Sequence, residues 1–250
     1  MKNLIILILI SFIISSCAAS HSQPDKIKIA QAIKKEGNIF QNQGNYTAAL
    51  GKFLEAEKTI PNDPYLHNSL GLAYMGKKRD DLAMASFKKA LSLKPDYIEV
   101  VNNLGAVYLR QGKWDMAIKS FDRVVEDLLY STPHFPLSNI GWAYLGKKEF
   151  HLAKTYFAKA LDELPWFTAA SHGLAQVYLQ TGQVDLAMDY LHKCLYRSPD
   201  TAILHADLAQ TYEAKGLTQQ AIRSWKLVLT LVPERSRLAK KAEIKLSELY

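Results

Sequence analysis

The sequence predicts an all-α solenoid, in which helical hairpins stack side by side and a last helix closes the array. Three observations carry this expectation. Apolar residues recur at three- and four-residue steps on both sides of a short polar break between Pro64 and Pro95. Leu70, Gly71 and Tyr74 precede Gly76-Lys77-Lys78, and Ala83, Phe87 and Ala90 follow it. The same hairpin pattern returns at a nearly constant period along the chain. Prolines fall between the copies, where a residue without a backbone N–H ends one helix and cannot continue into the next.

The copies are counted by their landmarks. A small residue stands at Gly37, Gly71, Gly105, Gly141, Ala175 and Ala209, at steps of 34, 34, 36, 34 and 34 residues. The second helices carry Ala49, Ala83, Ala117, Ala153, Ala187 and Ala221 at the same steps. Four residues beyond each alanine is a bulky partner: Phe53, Phe87, Phe121, Phe157, Leu191 and Trp225. The closing prolines are Pro61, Pro95, Pro165, Pro199 and Pro233, and the third copy has Pro133 out of register. The small slots are expected to let two helices approach closely, with the alanine facing the glycine across the seam. One hairpin buries only part of its apolar surface, and stacking covers the rest.

The pattern Leu-Gly-x-x-Tyr, Ala-x-x-x-Phe-x-x-Ala, Pro resembles the tetratricopeptide repeat, the TPR. The resemblance implies a right-handed superhelix of six TPR helix-turn-helix hairpins over residues 28–235 with a capping helix over 236–250. That last stretch has Leu238, Ala242, Ile244 or Lys245, and Leu246 at helical spacing and a basic outer face. Such a face suits the polar end a solenoid needs; contact with anionic lipid or glycan is the other reading. The two extra residues of the 36-residue step fall in 127–133 and read as loop slack or as an extension of the preceding helix.

Residues 1–16 read as a signal segment. Lys2 supplies a positive start, and Leu4 to Ile14 is almost wholly apolar but short for a mature span. Ile14-Ser15-Ser16-Cys17 resembles a bacterial lipobox, which implies a lipidated Cys17 as the first mature residue. Ordinary signal cleavage and a plain inner-membrane anchor are the rival readings. Each buried methylene of an attached chain contributes roughly 0.8 kcal/mol, so several chains would anchor permanently. Ala18 and Ala19 follow Cys17 where an aspartate would imply inner-membrane retention. In a Gram-negative cell this implies the outer membrane, on its periplasmic face. Residues 17–27 read as a lipidated tether.

Composition narrows the function classes. The 250 residues are 48% hydrophobic, with 12 Gly and 9 Pro, enough for a large core and too few breakers for a loop-dominated chain. The net charge of +7 would fall to +6 on loss of Lys2, spread over many helices without the basic stripe that nucleic acid demands. Apart from Cys17 there is only Cys194, in a slot otherwise filled by alanine or valine, so no disulfide framework exists. No His-Glu-x-x-His, Cys-x-x-Cys, phosphate-binding glycine loop or Gly-x-Ser-x-Gly occurs. His67 and His205 fall in one repeat slot at the interior seam. These features point away from an enzyme, a metal, a cofactor other than covalent lipid, a nucleic-acid partner or a small-molecule substrate.

A protein partner is expected instead. First helices of such solenoids line a concave surface, and the stripe offset from the packed positions is free to bind. It contains Lys34, Asn38, Tyr65, Asn68, Leu72 and Met75 in the first two copies, then Asn102, Asn103 and Ala106. Phe135, Ser138, Asn139 and Trp142 follow, then His172, Gln176, Ile203 and Gln210. Asparagine and glutamine carry both donor and acceptor and suit an extended peptide backbone. Phe135 and Trp142 offer anchor area. The peptide-binding groove is therefore assigned to Asn68, Leu72, Asn102, Asn103, Phe135, Asn139, Trp142, His172 and Gln176, centred on the third and fourth copies. Lys34 and Asn38 match the start of the carboxylate clamp of chaperone-adaptor TPR domains, but Glu99 would repel a carboxylate in a later slot of that clamp. A lipobox followed by six repeats resembles the pilotin and pilus-stability lipoproteins of type IV pilus systems, the PilF/PilW family. That resemblance implies a scaffold helping a secretin subunit reach its membrane and multimerise. An adaptor for cell-wall hydrolases or outer-membrane assembly factors is the alternative.

Overall fold

The computed structural model describes residues 23–250, and the signal segment and Cys17 lie outside them. Thirteen helices and no strand are present among the described residues. They divide into two compact units meeting in sequence at Pro95 and Asp96. The first contains α1 (Gln23–Asn42), α2 (Tyr46–Glu57), α3 (Pro64–Gly76) and α4 (Asp80–Leu93). The second contains α5 (Ile98–Arg110), α6 (Trp114–Val125), α7 (His134–Gly146), α8 (Phe150–Glu163), α9 (Thr168–Gln180), α10 (Val184–Arg197), α11 (Ala202–Ala214), α12 (Thr218–Leu231) and α13 (Arg237–Leu249). The expected solenoid of six hairpins plus a terminal helix is therefore what forms. Helix α1 begins at Gln23, so Gln23 to Lys26, read as tether, are the first turn of a helix.

Each hairpin is closed at one seam. A Cβ built on Gly71 would lie 2.3 Å from Phe87 Cε1, on Gly37 2.5 Å from Phe53, on Gly105 2.8 Å from Phe121 and on Gly141 2.7 Å from Phe157. The ring four residues beyond the alanine thus occupies the space a side chain would need. The ring is thus the nearest neighbour of the glycine at this seam, beside the alanine expected there. Where the slot is Ala175 the partner shrinks to Leu191, and Ala209 shares a core with Trp225. All six bulky partners are fully buried.

The turns inside the hairpins repeat as closely. Gly44, Gly112, Gly182 and Gly216 take φ between 69° and 74°, and Lys78 and Lys148 occupy the same left-handed position at 59° and 61° in the remaining two hairpins. Caps use local chemistry: Asp63 Oδ1 accepts from the N–H groups of Tyr65 (2.8 Å) and Leu66, with Pro64 opening the helix behind it. Ser236 Oγ accepts from Ala239 N at 3.0 Å and starts α13. The two extra residues fall between Val125 and His134 outside both helices, where Leu128 and Leu129 are almost fully exposed. Loop slack is the right reading and helix extension is not.

In the second unit, consecutive first helices touch one another: α5 packs on α7, α7 on α9 and α9 on α11. Each second helix is wedged between successive first helices. The first helices therefore form one continuous layer, and their outward stripe is a single surface. Helix α13 packs on α12 with Ala239, Ala242 and Leu246 buried; of the alternatives Ile244 and Lys245 for this face, Ile244 is exposed and Lys245 is half-buried.

Gly71→Ala is expected to destabilise the protein by about 1–3 kcal/mol through overpacking. Because Leu191 fills the ring's slot in the copy that carries Ala175, adding Phe87→Leu should recover part of that loss. Urea unfolding of the four-variant cycle measures the coupling, and strictly additive losses would contradict the seam.

Candidate functional site

In the first unit, Asn68 and Leu72 lie half-buried on the exposed face of α3. Lys34 is already engaged: its Nζ donates to Asp63 Oδ2 at 2.6 Å and lies 5.8 Å from the Tyr65 ring centre. Asn38 Oδ1 accepts from Ser69 Oγ at 3.2 Å. These two residues thus tie neighbouring hairpins together. His67 packs as expected, and a hydrogen bond between its Nε2 and Pro61 O (2.7 Å) accounts for it; His205 repeats this with Pro199 O at 2.6 Å.

In the second unit, Phe135, Asn139, Trp142, His172 and Gln176 are brought together on the layer of first helices. They contribute to two adjoining cavities that share His172 and Ile203. One, of about 430 Å³, is lined by Phe135, Ser138, Asn139 and Phe167 with Thr168 and Ala169. The other, of about 440 Å³, is lined by Trp142, Gln176, Arg237, Leu238 and Lys241. Asn102 and Asn103 stand on α5 outside both linings. The site thus lies further along the chain than its sequence-derived centre, over hairpins four to six and the terminal helix. Ser138, read as free surface, is instead 1% exposed, and its hydroxyl has no hydrogen-bond partner among the described residues.

The aromatic residues form two groups. Phe135 and Phe167 meet edge to face at 5.2 Å, with His134 beside both. Trp142 meets the core ring Phe157 edge to face at 5.4 Å and the His172 ring at 5.0 Å. Trp142 therefore presents one surface to the cavity and rests another on the core.

A buried carboxylate organises the polar part. Asp207 is fully buried; one oxygen lies 2.6 Å from His172 Nδ1, and the other accepts from Gln176 Nε2 at 2.8 Å. Burial pushes its carboxyl above the ordinary carboxylate range, while His172, Gln176 and the charge of Lys241 pull the other way. The two side chains it holds are both groove residues, so Asp207 fixes their orientation from beneath. Sequence reasoning missed it. The available signal was its slot, which also holds Asn103 and Asn139 and to which an acid brings a charge. Phe167 was missed too. It follows Trp166, whose φ of 67° is unusual for a bulky residue and turns the chain into α9. On the opposite count, Cys194 is a buried thiol raised by desolvation, as its small apolar slot implies.

Among the described residues no group of three or more His, Cys, Asp or Glu is placed to hold a metal ion, and no helix is long and apolar enough to cross a membrane.

Residues 76–112 match a TPR repeat model, and residues 101–132 and 144–202 match further tetratricopeptide-repeat models. These segments are tetratricopeptide repeats. The chain is similar to ycf37 of Cyanophora paradoxa, with 30% identity over 111 residues, 42% of this chain and 62% of that protein. It is also similar to the BBSome complex member BBS4 of Mus musculus, with 34% identity over 65 residues, 26% of this chain and 12% of that protein. Both matches thus span less than two thirds of the relative's length. Among solved structures, PilW, a widely conserved type IV pilus biogenesis factor, superposes with a TM-score of 0.74 at 24% identity, covering 86% of this chain and 98% of that one. PilF of Pseudomonas aeruginosa gives 0.67 at 19% identity, covering 88% and 99%. At these identities the likeness is one of fold. TPR proteins generally serve as protein-interaction scaffolds and not as enzymes.

Asp207→Ala is expected to cost about 1–3 kcal/mol by leaving His172 and Gln176 with unmet hydrogen bonds, and Asp207→Asn less. The folded-state carboxyl is raised, so wild type should gain stability relative to Asp207→Asn as pH falls. The window runs from that raised value down to the unfolded value of about 3.9. Urea melts across this range read the difference; a gain on raising the pH would contradict the assignment.

Proposed function

We propose that the chain is a periplasm-facing, lipid-anchored scaffold of the outer membrane. In this reading it binds a protein partner on its layer of first helices and assists localisation or assembly of a type IV pilus secretin. The observation that carries the scaffold reading is the groove surface of the second unit. Anchor-sized aromatic residues and fixed polar side chains converge there on two open cavities, with their geometry set from the core. An extended peptide has the matching requirements: apolar side chains to bury and backbone groups to pair.

The pilus reading is supported by the extent of the fold likeness, which takes in nearly all of PilW and of PilF and most of this chain. The anchor is supported by Cys17 in its lipobox-like context and by Ala18 after it. Cys17 precedes the first described helix, which begins at Gln23, so lipidation there would hang the repeats on the membrane surface.

Cys17→Ser is expected to move the protein from the membrane to the soluble fraction and to abolish palmitate labelling. Continued membrane fractionation of the mutant, with no label in the parent, would reject the anchor. Purification of the lipidated wild type from its native membranes is expected to bring down a secretin subunit; recovery of a cell-wall hydrolase instead would favour the adaptor reading.

A further inference from the structure

The two cavities differ in chemistry, and the difference specifies what they take. The first is mainly apolar: Phe135, Phe167, Ala169 and Ile203 contribute to its lining, and the Ser138 hydroxyl there is buried without a hydrogen-bond partner among the described residues. The second is bordered on one side by Arg237 and Lys241, one turn apart at the start of α13. Neither cation is ion-paired with a described residue. The next basic residue on that stripe behaves differently, since Lys245 Nζ contacts Glu248 at 2.8 Å and Glu213 at 3.5 Å. The nearby Asp207 carboxylate is sealed from solvent beneath His172 and Gln176 and leaves both cations accessible.

His172 lies between the cavities and joins them. Its Nδ1 is held by Asp207 and its ring rests near Trp142, so Nε2 is directed away from the carboxylate and has no partner among the described residues. A peptide crossing from one cavity to the other would meet this nitrogen and Asn139.

Building on the scaffold reading, we propose that this face binds an extended segment of a protein partner by two linked features. A large apolar or aromatic side chain enters the Phe135–Phe167 cavity, and a carboxylate is held by Arg237 and Lys241. The carboxylate belongs to an acidic side chain or to the segment's own C-terminus. The two features fall on neighbouring parts of one segment, because the cavities adjoin and share His172 and Ile203. Charge complementarity selects the acid, and an unpaired guanidinium offers it a bidentate contact.

The test is selection of a random-sequence peptide library with free C-termini against the full chain, in parallel with Arg237→Glu/Lys241→Glu and Phe135→Ala. Both cations are exposed, so the charge reversal should leave the fold intact, as circular dichroism and a melt verify; Arg237→Gln/Lys241→Gln is the milder second variant. Wild type is expected to enrich peptides with an aromatic or large aliphatic residue close to an acid or to the terminus. Replacing that acid by its amide, or amidating the terminus, should weaken binding at least ~10-fold. Charge reversal should abolish the acidic preference, and Phe135→Ala the aromatic one. Enrichment without acidic preference, or unchanged affinity in the charge-reversed protein, overturns this proposal while leaving the scaffold reading. Absence of any enrichment overturns both. If charge reversal instead alters only binding to phosphatidylglycerol vesicles, the stripe serves a lipid surface and the peptide proposal fails.

Discussion

The close approach of two helices at a glycine, with a ring filling the space that a side chain would take, is the constraint on which the structure depends. It fixes the separation within a hairpin, and through the ring it reaches the next one. Phe157 shows this most clearly. It lies against Gly141 within its own hairpin and against Gly173 of the following helix, where a Cβ would come within 2.2 Å of the ring tip. The same ring supports Trp142 from below. The core seam and the cavity wall are therefore one packing arrangement, and any change to the seam moves the site. This also separates Trp142 from Phe135 in role. The tryptophan contributes to stability and to the groove together, whereas Phe135 is nearly half exposed and bears on its neighbours only at the cavity.

The regular slots then allow specialisation by single substitutions. The slot of Asp207 holds Ser69, Asn103, Asn139 and Gly173 in other hairpins. Ser69 bonds back to Asn38 as Asp207 does to Gln176, so one cross-hairpin contact is reused with a neutral pair near one end and a buried acid near the other. Placing a carboxylate there is costly unless its oxygens are partnered. The partners available are groove side chains, so the cost of burial is offset by fixing the very residues that face solvent. The order of the groove thus arises from beneath it.

The fold was largely legible because its determinants are periodic and steric. Gly37 to Ala209 and Phe53 to Trp225 announce the hairpins without any alignment, and the terminal helix followed from spacing at Ala242 and Leu246. The tether boundary was not legible: Gln23 to Lys26 are polar and exposed, with no apolar spacing to mark them as helix, and they continue the helix whose first buried residue is Ala30. At the site, the face was readable and its depth was not. Ser138 and Asn139 are adjacent in the stripe, yet only geometry shows that the serine is buried and the asparagine borders the cavity. Arg237 and Lys241 were visible as a basic face, but that Glu213 of α11 reaches Lys245 and not these two depends on how the helices pack.

The terminal helix illustrates how a capping element acquires a second use. To end a solenoid, α13 must bury one stripe and expose the rest, and Ala239, Ala242 and Leu246 do the burying. The exposed remainder has to be polar, and any polar residue would satisfy solubility. Lys245 is tied into ion pairs with α11 and its own helix, which restrains the last turns. Arg237 and Lys241, on the turns nearest the groove, have no ion-pair partner among the described residues and border a cavity that Trp142, His172, Gln176 and Ile203 also line. Surface ion pairs add little to stability, so pairing these two would have gained the fold almost nothing. Lys241 lies 5.7 Å from the Trp225 ring centre and its charge bears on the buried Asp207, yet both cations stay exposed beside the cavity, where their charge favours an incoming anion and serves recognition more than folding.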